Sequence, residues 1–296
     1  MNALVSILHN ALFIMAPLLF AALGGLFTES AGMLNIGLEG LMLTGSFFAA
    51  LAAGGAGSAG AGVAAAVLSS TLLALMFAAA CLKLRANLFI AGIATNLMAA
   101  GLTALLSGLL FGHKGVHRFP LFPALWKARP PAWSGAFGAV FLSHDALVYA
   151  AWAAVPLVVL ILYKTPFGLR LRSTGHDSRT VRSLGMEPNR YRLFAFLLSG
   201  VGCGLAGAFL SLHLQAFVPG GTAGRGWIAL VVIYLGARRP GGILLAAFLF
   251  GLAESVSNHL QGVLALPNQL ILAIPFAVSL LALIGYSAWE HYRRPT

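Results

Sequence analysis

Residues 29–40 read ESAGMLNIGLEG, a polar and glycine-bearing stretch at which one apolar run, 4–27, ends and a second, 31–53, begins. Each run is long enough to cross the hydrocarbon core, which needs about 20 apolar residues. Ionisable groups at that depth are rare and usually face a protein interior or a water-filled path. Irregular backbone is tolerated there only where it is buried or lines a cavity. The stretch therefore predicts a membrane protein with a broken or re-entrant element at this point.

The composition of the whole chain supports a membrane protein. Of its 296 residues, 59% are hydrophobic and 8% are charged, whereas a soluble domain carries about a quarter charged residues. We expect an all-α, polytopic bundle of transmembrane helices that forms one domain over residues 1–296 and has the lipid bilayer as its solvent. Apolar runs predict about 8–9 spans. The count depends on whether residues 28–53 cross fully or form a re-entrant element.

Basic residues predict the orientation of these spans. Loop 164–192 holds seven Lys and Arg residues against two acidic ones, and the positive-inside rule places such a loop in the cytoplasm. Loop 112–142, with four prolines and two tryptophans, is then extracytoplasmic and the C-terminus is cytoplasmic. The formal charge of +11 is thereby explained by topology, and we expect no nucleic-acid partner.

Several polar side chains fall within the predicted spans. Asn35 and Glu39 are four residues apart, so on a helix they would share one face; Asn96 and Glu254 lie in later spans. Such residues either clamp helices together or line a path for a polar solute, and both interpretations stay open. A third possibility is a gradient-driven carrier in which Glu39 and Glu254 couple to protons or sodium ions.

The sequence offers no catalytic or metal-binding motif. It contains no HExxH and no GxxxxGK[ST] nucleotide loop, and its only aspartates, Asp145 and Asp177, lie outside the predicted spans. His213 and His259 belong to no ligand-spaced set. We therefore expect no enzyme, no metal site and no cofactor in this chain.

The cytoplasmic loop contains a predicted short helix within residues 174–185. Asp177 or Ser178 can cap its start, and Gly185 can end it. A short exposed helix in this place either docks on a partner or is a solvated basic loop that only sets the topology.

Three segments of the chain resemble one family. Residues 29–40, followed by LMLTGSFF, are similar to a signature of permease subunits in the branched-chain amino acid, sugar and nucleoside group of ATP-binding cassette (ABC) importers. Residues 183–208 resemble that group's coupling loop and next helix, and residues 224–240 resemble its late glycine-bearing segment. The form of the first signature and the chain length look most like the shorter permease of nucleoside-type systems.

The resemblance implies a set of partners and a mechanism. A separate cytoplasmic ATPase would hydrolyse ATP, a second and different permease would complete the path, and an extracytoplasmic binding protein would deliver the solute to loop 112–142. The solute would be a nucleoside, with a sugar or a branched-chain amino acid as alternatives, and the location a bacterial inner membrane. The path would be lined by Asn35, Glu39, Asn96 and Glu254. The ATPase would couple through Asp177, Ser178, Arg179, Arg182, Leu184 and Gly185.

Overall fold

The computed structural model describes residues 3–113, 115–119 and 135–261. Within them, seven helices are long and apolar enough to cross a membrane. These are α1 (Ala3–Ser30), α2 (Leu38–Ala56), α3 (Ala59–Leu82), α4 (Leu88–Phe111), α6 (Ala146–Lys164), α9 (Pro188–Leu214) and α11 (Pro240–Gln261). The predicted all-α membrane class is confirmed. A further apolar run at residues 268–288, which the predicted count of spans includes, and the C-terminal tail lie outside the described residues.

The remaining elements are short. They are α5 (Gly135–Phe141), α7 (Pro166–His176), α8 (Ser178–Ser183), α10 (Arg225–Leu235), β1 (His117–Arg118) and β2 (Ala216–Phe217). The two strands pair in antiparallel fashion. Helix α10 has 11 residues, about 16 Å of helical rise, which is roughly half of what a hydrocarbon core requires. Helix α10 is therefore a half-length helix rather than a full crossing.

Helix α1 lies at the centre of the bundle. All its residues from 15 to 28 are buried, and it packs against α6, α9, α10 and α11. Helix α4 is peripheral, because only one narrow face, which includes Thr95 and Ala99, is buried. The apolar residues of its other face are exposed, as expected for a helix at the edge of a membrane bundle.

Glycines let the central helices approach closely. On α9, a Cβ atom added to Gly204 would lie 2.7 Å from the carbonyl oxygen of Ala66 in α3. One added to Gly202 would lie 2.9 Å from the Cα atom of Gly24 in α1. These contacts are tighter than any side chain allows, so the glycine-rich sequence of α9 is explained by backbone-to-backbone packing.

The chain breaks between α1 and α2. Residues 31–37, here called the break, form turns and irregular backbone, with Gly32 at φ +73°. The predicted broken element is therefore present. On a helix Asn35 would share a face with Glu39, but Asn35 precedes α2 and the two residues do not belong to one helix. Its Oδ1 atom accepts a hydrogen bond from the backbone N–H of Gly37 at 3.0 Å. This side-chain-to-backbone turn competes with helix formation and delays the helix start to Leu38.

The ends of the helices sort into two groups. At the end that carries residues 164–192, here called the basic end, Arg238 after α10 pairs with Glu29 of α1 at 3.0 Å. At the opposite end, β1 pairs with β2, and the ring Nδ1 of His9 lies 2.9 Å from the carbonyl oxygen of Ala139. This grouping matches the alternation of loops predicted from the sequence.

Candidate functional site

The break contains a polar residue, Asn35, whose side chain lies deep within the bundle. Asn35 is 1% exposed, and its Nδ2 atom donates a hydrogen bond to the Ser199 hydroxyl oxygen at 2.8 Å. Ser199 is the twelfth residue of α9, which begins at Pro188, so roughly 16 Å of helical rise separates it from the basic end. The amide therefore lies about halfway along a membrane-spanning helix.

Asn96 of α4 holds the other side of the break. Its Oδ1 atom accepts a hydrogen bond from the N–H of Gly40 at 2.8 Å, and its Nδ2 atom donates to the carbonyl oxygen of Ile36 at 2.9 Å. A Cβ atom on Gly40 would lie 2.8 Å from the Cα atom of Asn96. The amide thus satisfies two backbone groups that the interrupted helix leaves without helical partners.

Glu39 stands in the first turn of α2 and caps the start of α10. Its Oε1 atom accepts hydrogen bonds from the Thr222 hydroxyl at 2.5 Å and from the N–H of Gly224 at 3.0 Å. Its Oε2 atom accepts from the N–H of Gly226 at 2.7 Å. A carboxylate at a helix N-terminus is stabilised by unpaired N–H groups and by the helix dipole. The side chain therefore joins α2 to the start of α10.

Glu254 of α11 holds the same end of α10. Its Oε1 atom pairs with Nη2 of Arg225 at 2.6 Å, and both side chains are about one-fifth exposed. Arg225 also donates a hydrogen bond to the carbonyl oxygen of Gly221 at 3.4 Å. Glu39 and Glu254 are thereby linked through residues 221–226, so α2, α10 and α11 meet in one polar network.

The predicted short helix in the basic loop is present as α8. The carboxylate of Asp177 caps it, accepting hydrogen bonds from the N–H groups of Arg179 at 2.8 Å and Thr180 at 3.3 Å. The Thr180 hydroxyl donates a hydrogen bond to the same carboxylate at 2.6 Å. This hydrogen bond and those from the two N–H groups lower the pKa of Asp177. Gly185 follows at φ +76°, a conformation suited to the residue after a helix end.

Helix α8 is attached to the bundle by little of its surface. Among its residues Val181 is the buried one, while Arg179 and Arg182 are exposed and the Leu184 side chain after it is 69% exposed. Arg179, Arg182 and Leu184 therefore form an exposed surface at the basic end.

The basic loop contacts the break directly. Gly175, two residues before the α8 cap, packs against Gly32 so closely that a Cβ atom on Gly32 would lie 3.1 Å from the Cα atom of Gly175. A Cβ atom on Gly175 would collide with the carbonyl oxygen of Ser30. Nearby, Nε of Arg192 lies 3.5 Å from the carbonyl oxygen of Ala31. The basic loop therefore packs directly on residues 30–32.

The structure brings most of the predicted polar residues together. Asn35, Glu39 and Asn96 surround the break, and Glu254 joins them through Arg225. No sequence pattern predicts their partners, which are Ser199, Thr222, Arg225 and Gly175. The glycine pair at 224 and 226 was the available signal, since closely spaced glycines often mark a close approach of backbone to another group.

Histidines do not assemble a metal site in the described part of the chain. Within these residues, no group of three or more His, Cys, Asp or Glu side chains has a geometry that could hold a metal ion. His213 instead lies beside Asp145, with Nδ1 and Oδ2 3.5 Å apart. The expectation that the chain binds no cofactor stays a prediction.

Comparison with known proteins identifies a family and several relatives of this chain. The sequence profile of the branched-chain amino acid transport system permease component matches residues 7–283. The guanosine ABC transporter permease NupQ of Bacillus subtilis is 33% identical, over 92% of this chain and 88% of that protein. The nucleoside ABC transporter permease NupC of Lactococcus lactis is 31% identical, over 95% and 92%.

Two further proteins extend the comparison. The putative glucose ABC transporter permease TsgC13 of Haloferax volcanii is 33% identical over 82% of this chain and 74% of that protein. The structure of a putative metal-chelate type ABC transporter in an inward-facing conformation has a TM-score of 0.57 at 14% identity, covering 94% of this chain and 85% of that one. The fold is thus that of an ABC transporter permease. The chain belongs to the family of branched-chain amino acid transport system permease components, as a multi-pass membrane subunit of an ABC transporter and not as an enzyme.

Proposed function

We propose that this chain is one of two permeases of a bacterial nucleoside importer, with α8 as its docking helix for a cytoplasmic ATPase. The observation that carries the proposal is the direct packing of the basic loop on the break, where Gly175 contacts Gly32. An exposed helix that is joined to a broken membrane element is the arrangement a transporter needs to convert ATPase motion into a change within the bilayer.

The proposed mechanism follows the contacts. Closure of the ATPase moves α8, and Gly175 passes the displacement to residues 30–32 at the end of α1. The break then shifts, and with it Asn35 and the first turn of α2. Because Glu39 is bonded to residues 222–226, α10 moves with α2. Two packings of these short elements would correspond to the inward-open and outward-open states.

The path itself is proposed to run beside this network. Asn35, Glu39, Asn96 and Glu254 border it and fix the shape of its wall, since their side chains already bond to groups of this chain. Conduction requires that a solute be bound weakly enough to leave. Strong solute selection then belongs to the extracytoplasmic binding protein.

The likeness to NupQ and NupC over more than nine-tenths of this chain supports a nucleoside as the solute. A sugar is the second candidate, because TsgC13, named as a putative glucose permease, shares the same percentage identity over a shorter stretch. Competition for uptake between guanosine and glucose separates these two candidates.

The proposed orientation places residues 164–192 and the C-terminus in the cytoplasm of a bacterium, because these segments are rich in Lys and Arg. Loop 112–142 then faces the binding protein. The second permease is proposed to be a different chain, as in the nucleoside-type systems that the sequence resembles.

Co-purification from native membranes tests the partners. A tagged chain, solubilised in mild detergent, is expected to retain an ATPase with two nucleotide domains and a second permease. Leu184→Asp, at an exposed position beside α8, should release the ATPase and keep the second permease. Leu214→Asp is the matched control, since this leucine is 60% exposed at the far end of α9. A wild-type chain that brings down no ATPase contradicts the proposal.

A further inference from the structure

A groove opens between α3 and α9 at the basic end of the bundle. Its volume is about 520 Å³. Ala78 and Ala79 form its floor, and apolar side chains form its walls. These wall residues are Leu75, Met76, Leu82 and Leu193. The small floor residues leave room between the helices, and the apolar walls suit a hydrocarbon chain better than a polar ligand.

The mouth of this groove is basic. Lys83, Asn189 and Arg190 line it, where α3 ends and α9 begins. Lys83 is exposed and forms no ion pair within the described residues. Arg190 pairs through Nε with Glu187, and its Nη groups hold further donors. The mouth therefore offers one free ammonium, an amide and part of a guanidinium within a few ångströms of an apolar cleft.

An exposed apolar track leads away from the groove along α3. Leu68 is 71% exposed and Leu72 is 61% exposed, and both continue the face of Leu75 and Met76 at helical spacing. The track runs from the basic mouth toward the opposite end of the bundle. An acyl chain that enters the groove at its mouth finds a continuous apolar surface along this helix.

We propose that the groove is a binding site for an anionic phospholipid. Its phosphate lies at Lys83 and Arg190, and one acyl chain follows the groove and the α3 track. Charge complementarity selects the occupant, since a zwitterionic lipid carries its own cation toward two bases, whereas an anionic headgroup does not. Basic pockets between transmembrane helices at the cytoplasmic side are suited to anionic headgroups. The inference concerns lipid recognition and does not depend on which solute is carried.

Native mass spectrometry of the detergent-purified transporter tests the headgroup contacts. After incubation with equal amounts of phosphatidylglycerol and phosphatidylethanolamine, the wild-type assembly should retain phosphatidylglycerol preferentially. Each base near an anionic lipid contributes about fivefold in affinity, so Lys83→Gln should lower the retention of phosphatidylglycerol about fivefold. The double variant that also carries Arg190→Gln should lower this retention further. Lys164→Gln is the matched control, because Lys164 is an exposed lysine at the end of α6 and is not part of the groove. It should leave retention unchanged.

A second variant tests the acyl groove without changing charge. Ala79→Trp fills the floor and should reduce retention of both lipids, whereas Ala100→Trp on the exposed face of α4 should not. A photoreactive side chain at position 79 should cross-link to lipid. Equal retention of the two lipids by the wild type, unchanged retention in the Lys83 variant, or a cross-link to a protein subunit in place of lipid overturns the proposal.

Discussion

Replacing Glu39 by glutamine should loosen α10 from α2. The carboxylate accepts three hydrogen bonds through its two oxygens, one of them from Gly226 N–H. Glutamine keeps one acceptor oxygen and places an NH₂ donor where the other oxygen was. In either amide orientation at least one backbone N–H at the start of α10 faces a donor and loses its partner.

The magnitude follows from these lost contacts. A buried donor left without an acceptor costs about 1–3 kcal/mol, and removal of a negative charge from a helix N-terminus costs about 0.3–1 kcal/mol. Glu39→Gln should therefore lower the free energy of unfolding by roughly 1–4 kcal/mol. Solute-dependent stimulation of the ATPase should fall as well, because α10 no longer follows α2.

The assay is an SDS unfolding titration of the purified assembly in mild detergent. Glu187→Gln is the matched control, since the Glu187 side chain is 66% exposed and pairs with Arg190, which is 76% exposed. Loss of this pair should change stability by less than about 1 kcal/mol. If Glu39→Gln is no less stable than Glu187→Gln, the carboxylate does not hold α10 and the proposed link between the two helices is refuted.

Three further changes test the rest of the network. Asn96→Leu should lower the free energy of unfolding by about 2–6 kcal/mol in the same titration, because two backbone groups of the break lose their partner. Gly175→Ala should leave the assembly intact but abolish solute stimulation of its ATPase, while Gly241→Ala, whose added Cβ meets nothing within 4 Å, should not. Asp177→Ala should reduce ATPase retention, and Asp177→Asn should preserve it because asparagine also caps helices. Since the pKa of Asp177 is lowered from its ordinary 3.8, the contribution of this cap is complete above that value and is lost as the pH falls through the lowered pKa.

Specific results would contradict these expectations. An Asn96→Leu chain as stable as the wild type would show that the break is held by other contacts. Normal solute stimulation in Gly175→Ala would show that the loop does not act through residues 30–32. ATPase retention that falls between pH 7 and pH 5 would exclude the Asp177 cap as its cause, since the cap stays ionised over that range.

The sequence predicts the architecture well where local chemistry decides it. Apolar runs of about 20 residues set the helix positions, and polar residues with glycines at 29–40 located the break. Asp177 and Gly185 bounded α8 through their capping preferences.

The sequence does not predict contacts that depend on tertiary packing. The Thr222 partner of Glu39 is 183 residues away along the chain, and the Ser199 partner of Asn35 is 164 residues away. No periodicity links such positions. The spacing of four between Asn35 and Glu39 would place both on one face of a helix, but the Asn35 side chain accepts a hydrogen bond from the N–H of Gly37, and the helix begins only at Leu38.

The most direct test of the central claim is ATP-driven uptake in proteoliposomes. The purified transporter, with its binding protein outside and ATP supplied to the side of α8, should accumulate labelled guanosine, and excess unlabelled nucleoside but not glucose should compete. Uptake should stop without ATP and in the Leu184→Asp assembly. Guanosine accumulation that needs no ATP and collapses when a proton or sodium gradient is removed would contradict the claim.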